Sequence, residues 1–407
     1  MLKSNKPLIS RILKTVVISA AATFLFNYLI SGAFINKFDN YISPSSKNAV
    51  FTSTSTSIEQ CTPSISEKLS NTSSLHNKTV SDIYSYPKDL NQLNQKFYFR
   101  QLSNSNKKIY QFVYEKILLF DKNIQLPSPI PINTVTKIMY WLRYDCPELF
   151  YISQDYTYEE NDKGIISIRP KYQISEETYQ SEKKAVDIKA TTILQQVKGK
   201  SDYAAEKEIH DEICKGASYQ ATGTNVSNMF GNLVLGKSNC EGYSSSFTFL
   251  LRKIGIDAAQ VIGSANGVGH SWNYVNINHT PTYCDVGWDD TNTPIYSFFN
   301  VPYSKMSLSR NFDYENILGA LPKTESYSQN EYYRTGAFIA KGKDGTSKIK
   351  NLIQLFNENK IPSINIMCED ELTYQTNQPI FNTLISTVQK KIKIEIVNGS
   401  LTFSATA

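Results

Sequence analysis

The sequence predicts an α+β fold in which a helix with a cysteine in its first turn packs on an antiparallel sheet. After Cys240, apolar residues recur with the spacing of one helical face: Tyr243, Phe247, Leu250, Leu251 and Ile254. Residues 270–277 then alternate as a strand does, and 280–288 returns after a two-residue turn. Near the end of the chain, 391–396 alternates strictly and precedes Asn398-Gly399, a strong hairpin signal.

Changes of composition divide the 407 residues into five parts. We expect a membrane segment at 1–36, a flexible stalk rich in Ser, Thr and Asn at 37–85, an accessory α+β domain at 86–185, a central domain at 186–321 and a small α+β domain at 322–407. Hydrophobic residues make up 41% of the chain, which is enough to bury a substantial core in the folded parts.

The N-terminal segment predicts the compartment. Four basic residues, Lys3, Lys6, Arg11 and Lys14, precede an apolar run at 15–35. A helix of that length can cross the roughly 30 Å core of a bilayer, and its basic flank stays in the cytoplasm. The bulk of the protein then lies outside the cell on a single-pass anchor. Ser31 and Ala33 also suit a signal-peptide cleavage site, and cleavage there would give a secreted protein.

Individual elements follow from local patterns. In the accessory domain we expect helices at 110–120 and around 138–142, a chain break at Pro127, Pro129 and Pro131, and a hairpin near Gly164. In the central domain we expect two helices within 182–215, a strand at 256–262 and a glycine-bearing loop at 263–269. In the last domain we expect helices at 345–358 and 378–390 and strands at 363–367 and 401–404.

Several classes of function are disfavoured. The net charge is +5, but no stripe of Lys and Arg interleaved with aromatic residues is present, which argues against nucleic acid as a partner. The six cysteines form no C-x-x-C pair, so a structural zinc site has no support. Residues 289–292 lack the Gly and the distal Glu of a calcium-binding loop. We therefore expect neither a metal nor a cofactor, and the pairing of the cysteines stays open.

Cys240 has the position of a reactive thiol. Ser238 is the predicted N-cap of its helix, and Glu241, three residues later, completes a capping box. Cys240 then lies in the first turn, where the helix dipole and the free N–H groups favour a thiolate. The same N–H groups can hold the oxyanion that forms when a thiolate attacks an acyl carbon.

His270 and Asp285 complete a candidate triad. The other three histidines are less suitable, because His76 lies in the stalk, His279 at a turn and His210 on a helix as a packing or surface residue. If Ile277 pairs with Thr280, then His270 and Asp285 are diagonal neighbours on one face of the hairpin. A slip of one residue would place them on opposite faces. In this register His270 acts as the base and Asp285 fixes its tautomer.

These residues resemble the transglutaminase-like superfamily of papain-like enzymes. The resemblance extends from about 228 to 301 and rests on Gly231–Lys237, Cys240-Glu241-Gly242-Tyr243, Gly269-His270-Ser271-Trp272-Asn273, 284–290 and a strand-like tail at 296–301. It implies a papain-like transglutaminase core with Cys240, His270 and Asp285 as the triad. Residues 145–150 look similar to the region that precedes this domain in exported bacterial relatives.

The expected function is that of a surface thiol enzyme that acts on amide or peptide bonds of proteins or wall peptides. Cys240 would form a thioester, which an amine or water then resolves. Tyr219 is a candidate oxyanion donor, and Trp272 and Trp288 are expected in the core or the cleft wall, where either could line an acyl groove. The alternative is a non-catalytic binding or scaffold protein on the cell surface.

Overall fold

The computed structural model describes residues 93–291, 295–312, 319–389, 392–396 and 401–406. The predicted membrane segment at 1–36 and the stalk at 37–85 lie outside these residues. Within the described ranges, none of the helices combines the length and the apolar character that a membrane span requires.

The described chain alternates helices and strands. The helices are α1 Phe97–Arg100, α2 Asn104–Leu118, α3 Ile132–Asp145, α4 Glu176–Val197, α5 Asp202–Gly216, α6 Met229–Leu233, α7 Cys240–Lys253, α8 Val286–Asp289, α9 Tyr303–Met306, α10 Glu331–Arg334, α11 Thr346–Asn357 and α12 Glu371–Ile385. The strands are β1 Ile124–Ile130, β2 Ile152–Asn161, β3 Gly164–Tyr172, β4 Ser218–Tyr219, β5 Lys237–Ser238, β6 Asp257–Ala265, β7 Val268–Ile277, β8 Thr280–Cys284, β9 Arg310–Asn311, β10 Phe338–Ile339, β11 Ser363–Cys368, β12 Lys393–Ile396 and β13 Thr402–Thr406.

The strands form three main sheets. An antiparallel sheet of order β1-β3-β2 lies in the accessory region, and an antiparallel sheet of order β8-β7-β6-β9 supports α7. A mixed sheet of order β10-β11-β13-β12 carries α11 and α12, and β4 pairs with β5 in parallel. The predicted α+β class with antiparallel sheets is confirmed. The last helix begins at Glu371, earlier than predicted, because Asp370 caps it by accepting from the N–H of Thr373.

The proline-rich segment of the accessory region is a strand, so the predicted chain break there is wrong. Pro127 and Pro129 lie within β1, which is at the edge of its sheet. An edge strand tolerates proline because the N–H groups that proline lacks would have no ladder partner on the outer side. The pairing of β1 with β3 shifts register between Gln125 and Ile130, where the prolines occur.

The accessory and central regions share one hydrophobic core. Trp141 of α3, Phe247 of α7 and Trp272 of β7 are all fully buried in the same cluster. A second cluster lies between the last sheet and its helices, where the ring of Phe403 stacks on those of Tyr374 and Phe381. Packing against the accessory region therefore helps to hold α7 on the central sheet.

A buried carboxylate at Asp145 connects the accessory region to α7. Its two oxygens accept from the backbone N–H groups of Phe97, Tyr98 and Phe99, at 2.8 to 3.1 Å. The guanidinium of Arg252, near the end of α7, donates to the carboxylate and to the Asp145 carbonyl. The carboxylate thus caps the first turn of α1 and fixes the far end of the helix that begins at Cys240.

The N-cap of α7 is Asn239, so the predicted capping by Ser238 is wrong. The Asn239 side-chain oxygen accepts from the N–H groups of Glu241 and Gly242, at 3.0 and 3.3 Å. The hydroxyl of Ser238 donates to the Asn239 carbonyl. The helix ends before Gly255, whose φ of +85° is the left-handed conformation expected of a glycine stop.

Replacement of the observed cap tests this assignment. We expect Asn239→Ala to lower the free energy of unfolding by about 1–2 kcal/mol, because two N–H groups of the first turn lose their acceptor. Ser238→Ala is the matched control and is expected to cost less than about 1 kcal/mol, since it removes one neutral hydrogen bond. Urea unfolding of both variants measures the difference. A larger loss in Ser238→Ala would contradict the assignment.

Candidate active site

Cys240 begins α7 and is partly exposed, whereas the other described cysteines, Cys146, Cys214, Cys284 and Cys368, are buried free thiols. The chain before α7 passes close over its first turn. A Cβ at Gly242 would lie 2.5 Å from the carbonyl oxygen of Val226 and 2.3 Å from the hydroxyl of Ser238. Only glycine leaves room for this approach, which explains the glycine two residues after the cysteine.

The hairpin that carries His270 has the predicted register. Ile277 pairs with Thr280, and the ladder continues to Asn273 opposite Cys284. The predicted return strand is too long, however, because β8 ends at Cys284 and Asp285 caps α8 by accepting from the N–H of Trp288 at 3.3 Å. On the β8 side, the ladder therefore ends before it reaches His270, and residue 287 is not its partner. On the other side of β7, His270 pairs with Gly263 of β6.

Two neighbouring segments also differ from expectation. The predicted loop at 263–269 is a tight hairpin, because β6 continues to Ala265 and only Asn266 and Gly267 form the turn, both with positive φ. The predicted strand at 296–301 is mostly a turn. Only Val301 pairs with Tyr283, while the N–H of Phe298 is held by the carboxylate of Asp289 at 2.9 Å.

The structure brings Cys240, His270 and Asp285 together. His270 Nε2 lies 2.7 Å from Asp285 Oδ2, and the imidazole lines the same cleft as the Cys240 thiol, whose sulfur is close enough to act on it electrostatically. Burial lowers the pKa of His270, but the carboxylate of Asp285 and the sulfur of Cys240 outweigh burial and raise it to about 9. The arrangement can therefore hold a protonated imidazole beside the sulfur.

Arg310 is a partner of Asp285 that the sequence reasoning missed. Its fully buried guanidinium donates to Asp285 Oδ2 from Nε at 3.0 Å and from Nη2. It lies between the rings of Trp288 and Phe298, 4.0 and 3.8 Å from their centroids. Burial raises the pKa of Asp285, but the charges of His270 and Arg310 outweigh it and lower the value to about 2.

The candidate oxyanion and groove residues, Tyr219, Trp272 and Trp288, have different surroundings. Trp272 is fully buried, with its ring centroid 5.9 Å from that of His270, and Trp288 lies 5.8 Å from the same imidazole. Tyr219 is more than half exposed and pairs in β4 beside Ser238. Its partial burial and the negative charges at Cys240 and Asp285 raise the pKa of Tyr219 to about 12, so its hydroxyl stays protonated.

A cleft of about 420 Å³ opens beside Cys240 and His270. One wall comes from the central region and includes Tyr219, and the other includes Tyr144 and Gln154 of the accessory region. The side-chain amide of Gln154 donates to the hydroxyl of Tyr144 at 3.0 Å and to Glu241 at 3.1 Å. The sequence reasoning did not identify this second wall, because it depends on packing between distant segments.

A polar cluster is buried beneath the site. His210 is fully buried, with Nδ1 3.0 Å from Asp211 and Nε2 3.4 Å from Asp289. Burial lowers the pKa of His210, but the hydrogen bond to Asp211 and the nearby carboxylate of Asp289 outweigh it and raise the value to about 9. Nearby, Glu206 accepts from the side-chain amide of Asn300 at 2.7 Å, and burial raises the pKa of Glu206 to about 8.

The raised pKa of Glu206 predicts a pH-dependent stability. In the unfolded chain this carboxyl ionises near pH 4.5, but in the folded protein it stays protonated to about pH 8. Its contribution to folding stability is therefore lost as the pH rises through this window. Relative to the wild type, we expect Glu206→Gln to gain on the order of 4 kcal/mol between pH 5 and pH 8.5. Urea unfolding at both pH values measures this change, and a difference that does not vary with pH would contradict it.

The site consists of a partly exposed cysteine at a helix start, a histidine on the adjoining antiparallel sheet and an aspartate directly after the last residue of the next strand. Residues 191–288 match the family model of the transglutaminase-like superfamily. The chain thus carries a transglutaminase-like domain, as the motifs around Cys240 and His270 predicted. Members of this superfamily are generally cysteine enzymes.

A solved chain described as "Crystal structure of a TGase" is similar to this one at 12% identity, with a TM-score of 0.26. The similarity covers 55% of this chain and 59% of the solved chain, so it spans less than two thirds of that structure. No curated protein matches the sequence. Among the described residues, no group of three or more His, Cys, Asp or Glu side chains is arranged to hold a metal ion.

Proposed function

We propose that this protein is a membrane-anchored thiol enzyme, exposed outside the cytoplasm, that acts on amide or peptide bonds of proteins or wall peptides. The observation that carries the proposal is that His270 is held 2.7 Å from the carboxylate of Asp285 and lines an open cleft together with the Cys240 thiol. The transglutaminase-like domain supports cysteine-based acyl transfer or hydrolysis as the reaction class.

The chemistry follows from the roles of the three side chains. The thiol proton passes to His270, and the Cys240 sulfur attacks the carbonyl carbon of a carboxamide or peptide bond. Collapse of the tetrahedral intermediate expels ammonia or an amine, which takes its proton from the His270 imidazolium, and leaves a thioester. An amine or water, deprotonated by His270, then attacks the thioester carbon. The bond to sulfur breaks, the Cys240 thiolate regains its proton from the His270 imidazolium, and a new amide or a carboxylic acid is released.

The oxyanion of the tetrahedral intermediate needs donors close to the sulfur. Asn239 already accepts from the N–H groups of Glu241 and Gly242, so we assign the N–H of Cys240 as the first donor. Tyr219 is the second, because its protonated hydroxyl belongs to a residue that lines the same cleft. Trp272 and Trp288 are packed beside the imidazole, and neither is among the residues that line the cleft, so we assign them to its support.

The proposed location rests on the sequence of the N-terminal 36 residues. Their basic flank and apolar run support a single-pass anchor, or a secreted protein if the segment is cleaved. Substrates would then be proteins or peptides at the cell surface. Neither a nucleic acid nor a metal is part of the proposal.

Alkylation of Cys240 by iodoacetamide tests the proposal. At pH 6 an ordinary thiol is almost entirely protonated and reacts slowly, whereas a thiolate paired with an imidazolium reacts fast. We expect labelling of Cys240 at pH 6, followed by mass spectrometry of its peptide, to slow at least about tenfold in His270→Ala. His279→Ala is the matched control, because His279 is exposed at the turn after β7. Cys240→Ala identifies the labelled peptide.

Each outcome decides between the two kinds of function. Fast labelling that depends on His270 and not on His279 supports an activated nucleophile and justifies a search for amide substrates. Labelling that His270→Ala leaves unchanged would contradict the enzyme and favour the non-catalytic surface binding protein.

A further inference from the structure

Arg310 is the most deeply buried cation next to the proposed catalytic groups. Both Nε and Nη2 donate to Asp285 Oδ2, which is the same oxygen that accepts from His270 Nε2. Within the described part of the chain, the other oxygen, Oδ1, accepts the longer bond from the N–H of Trp288 at 3.3 Å. A single carboxylate oxygen is thus shared between the imidazole and the guanidinium.

The position of Arg310 is fixed by its backbone and by aromatic rings. Arg310 pairs with Ala265 across β9 and β6, while Trp288 and Phe298 cover the two faces of its guanidinium. The neighbouring carbonyl of Asn311 comes so close to Gly263 that a Cβ there would lie 2.1 Å from its oxygen. Since Gly263 pairs with His270, β9 and the histidine are held against the same residue.

The charges that face His270 come from several elements. The sulfur of Cys240 reaches it from α7 and the carboxylate of Asp285 from the start of α8, while Asp285 in turn contacts Arg310 of β9. Asp289 and Tyr219 interact electrostatically with Asp285, and the Tyr219 hydroxyl is neutral. Arg310 is therefore the cation that offsets the carboxylate closest to the imidazole.

We propose that Arg310 is a positioning residue that keeps Asp285 ionised and aligned with His270 and that limits how strongly this carboxylate stabilises the imidazolium. An unopposed carboxylate would hold the proton on His270 too firmly for return to a leaving amine. With Arg310 in place, the imidazolium faces a carboxylate whose charge is already compensated. This inference rests on the proposed function, in which His270 must both accept and release a proton.

Titration of the histidine rings by NMR tests the role directly. The chain has four histidines, so their ring signals can be separated, and the spectrum of His270→Ala assigns the one of interest. In Arg310→Gln we expect the midpoint of the His270 titration to rise by about one pH unit, because the compensating positive charge is lost. In Arg310→Lys, which keeps the charge, we expect the wild-type midpoint within about 0.3 unit.

His210 serves as the internal control in the same spectra. It is also a buried histidine between carboxylates, but Arg310 does not contact its partners Asp211 and Asp289 in the described residues. A general loosening of the fold would move both histidines, whereas the proposed role moves only His270. An unchanged His270 in Arg310→Gln, or equal shifts in Arg310→Gln and Arg310→Lys, would overturn the proposal.

Two further measurements allow the role of Arg310 to be tested independently of the proposed function. Near-UV circular dichroism establishes that each variant is folded, and Arg169→Gln is a second variant that removes a guanidinium from a carboxylate, that of Glu159, on the accessory sheet. We expect no shift of His270 in that variant, and an equal shift would overturn the proposal. The titration requires no substrate, so Arg310 can fail this test while alkylation still depends on His270, and the reverse also holds.

Discussion

The structure depends on the buried ion pair between Asp145 and Arg252. Asp145 ends α3 and caps the first turn of α1, while Arg252 lies near the end of the helix that begins at Cys240. Removal of one partner from such a pair typically costs about 3–5 kcal/mol, because the other charge is left buried without compensation. The pair therefore fixes the accessory region to α7, and with it the side of the cleft that carries Tyr144.

Much of the site could be predicted because regular patterns determine it. The apolar stripe after Cys240 identified α7, and the register assumed across the turn at Asn278-His279, with Ile277 opposite Thr280, is the one that the hairpin has. The contact between His270 and Asp285 was correctly predicted, although the predicted return strand extends beyond the end of β8. A diagonal neighbour stays within reach even when the chain turns into α8 directly after Cys284.

The missed features depend on contacts between distant residues. Nothing in the local sequence around Arg310 distinguishes a buried guanidinium from an exposed one, and its role appears only when β9 pairs with β6. Both Ser238 and Asn239 are suitable caps by residue type, so the choice between them depends on backbone geometry. The hairpin at Asn266-Gly267, by contrast, could have been predicted from the sequence, because an Asn-Gly pair is a strong signal for a two-residue hairpin turn.

The two walls of the cleft have separate origins in the chain. The reacting groups come from the central region, whereas Tyr144 and Gln154 come from a region with its own sheet. Substitutions on the accessory wall can therefore alter which side chains fit the cleft without touching the cysteine, the histidine or the aspartate. For protein engineering, this arrangement separates selectivity from reactivity, and the end of α3 and the start of β2, where Tyr144 and Gln154 lie, are the place to diversify one while the other is kept constant.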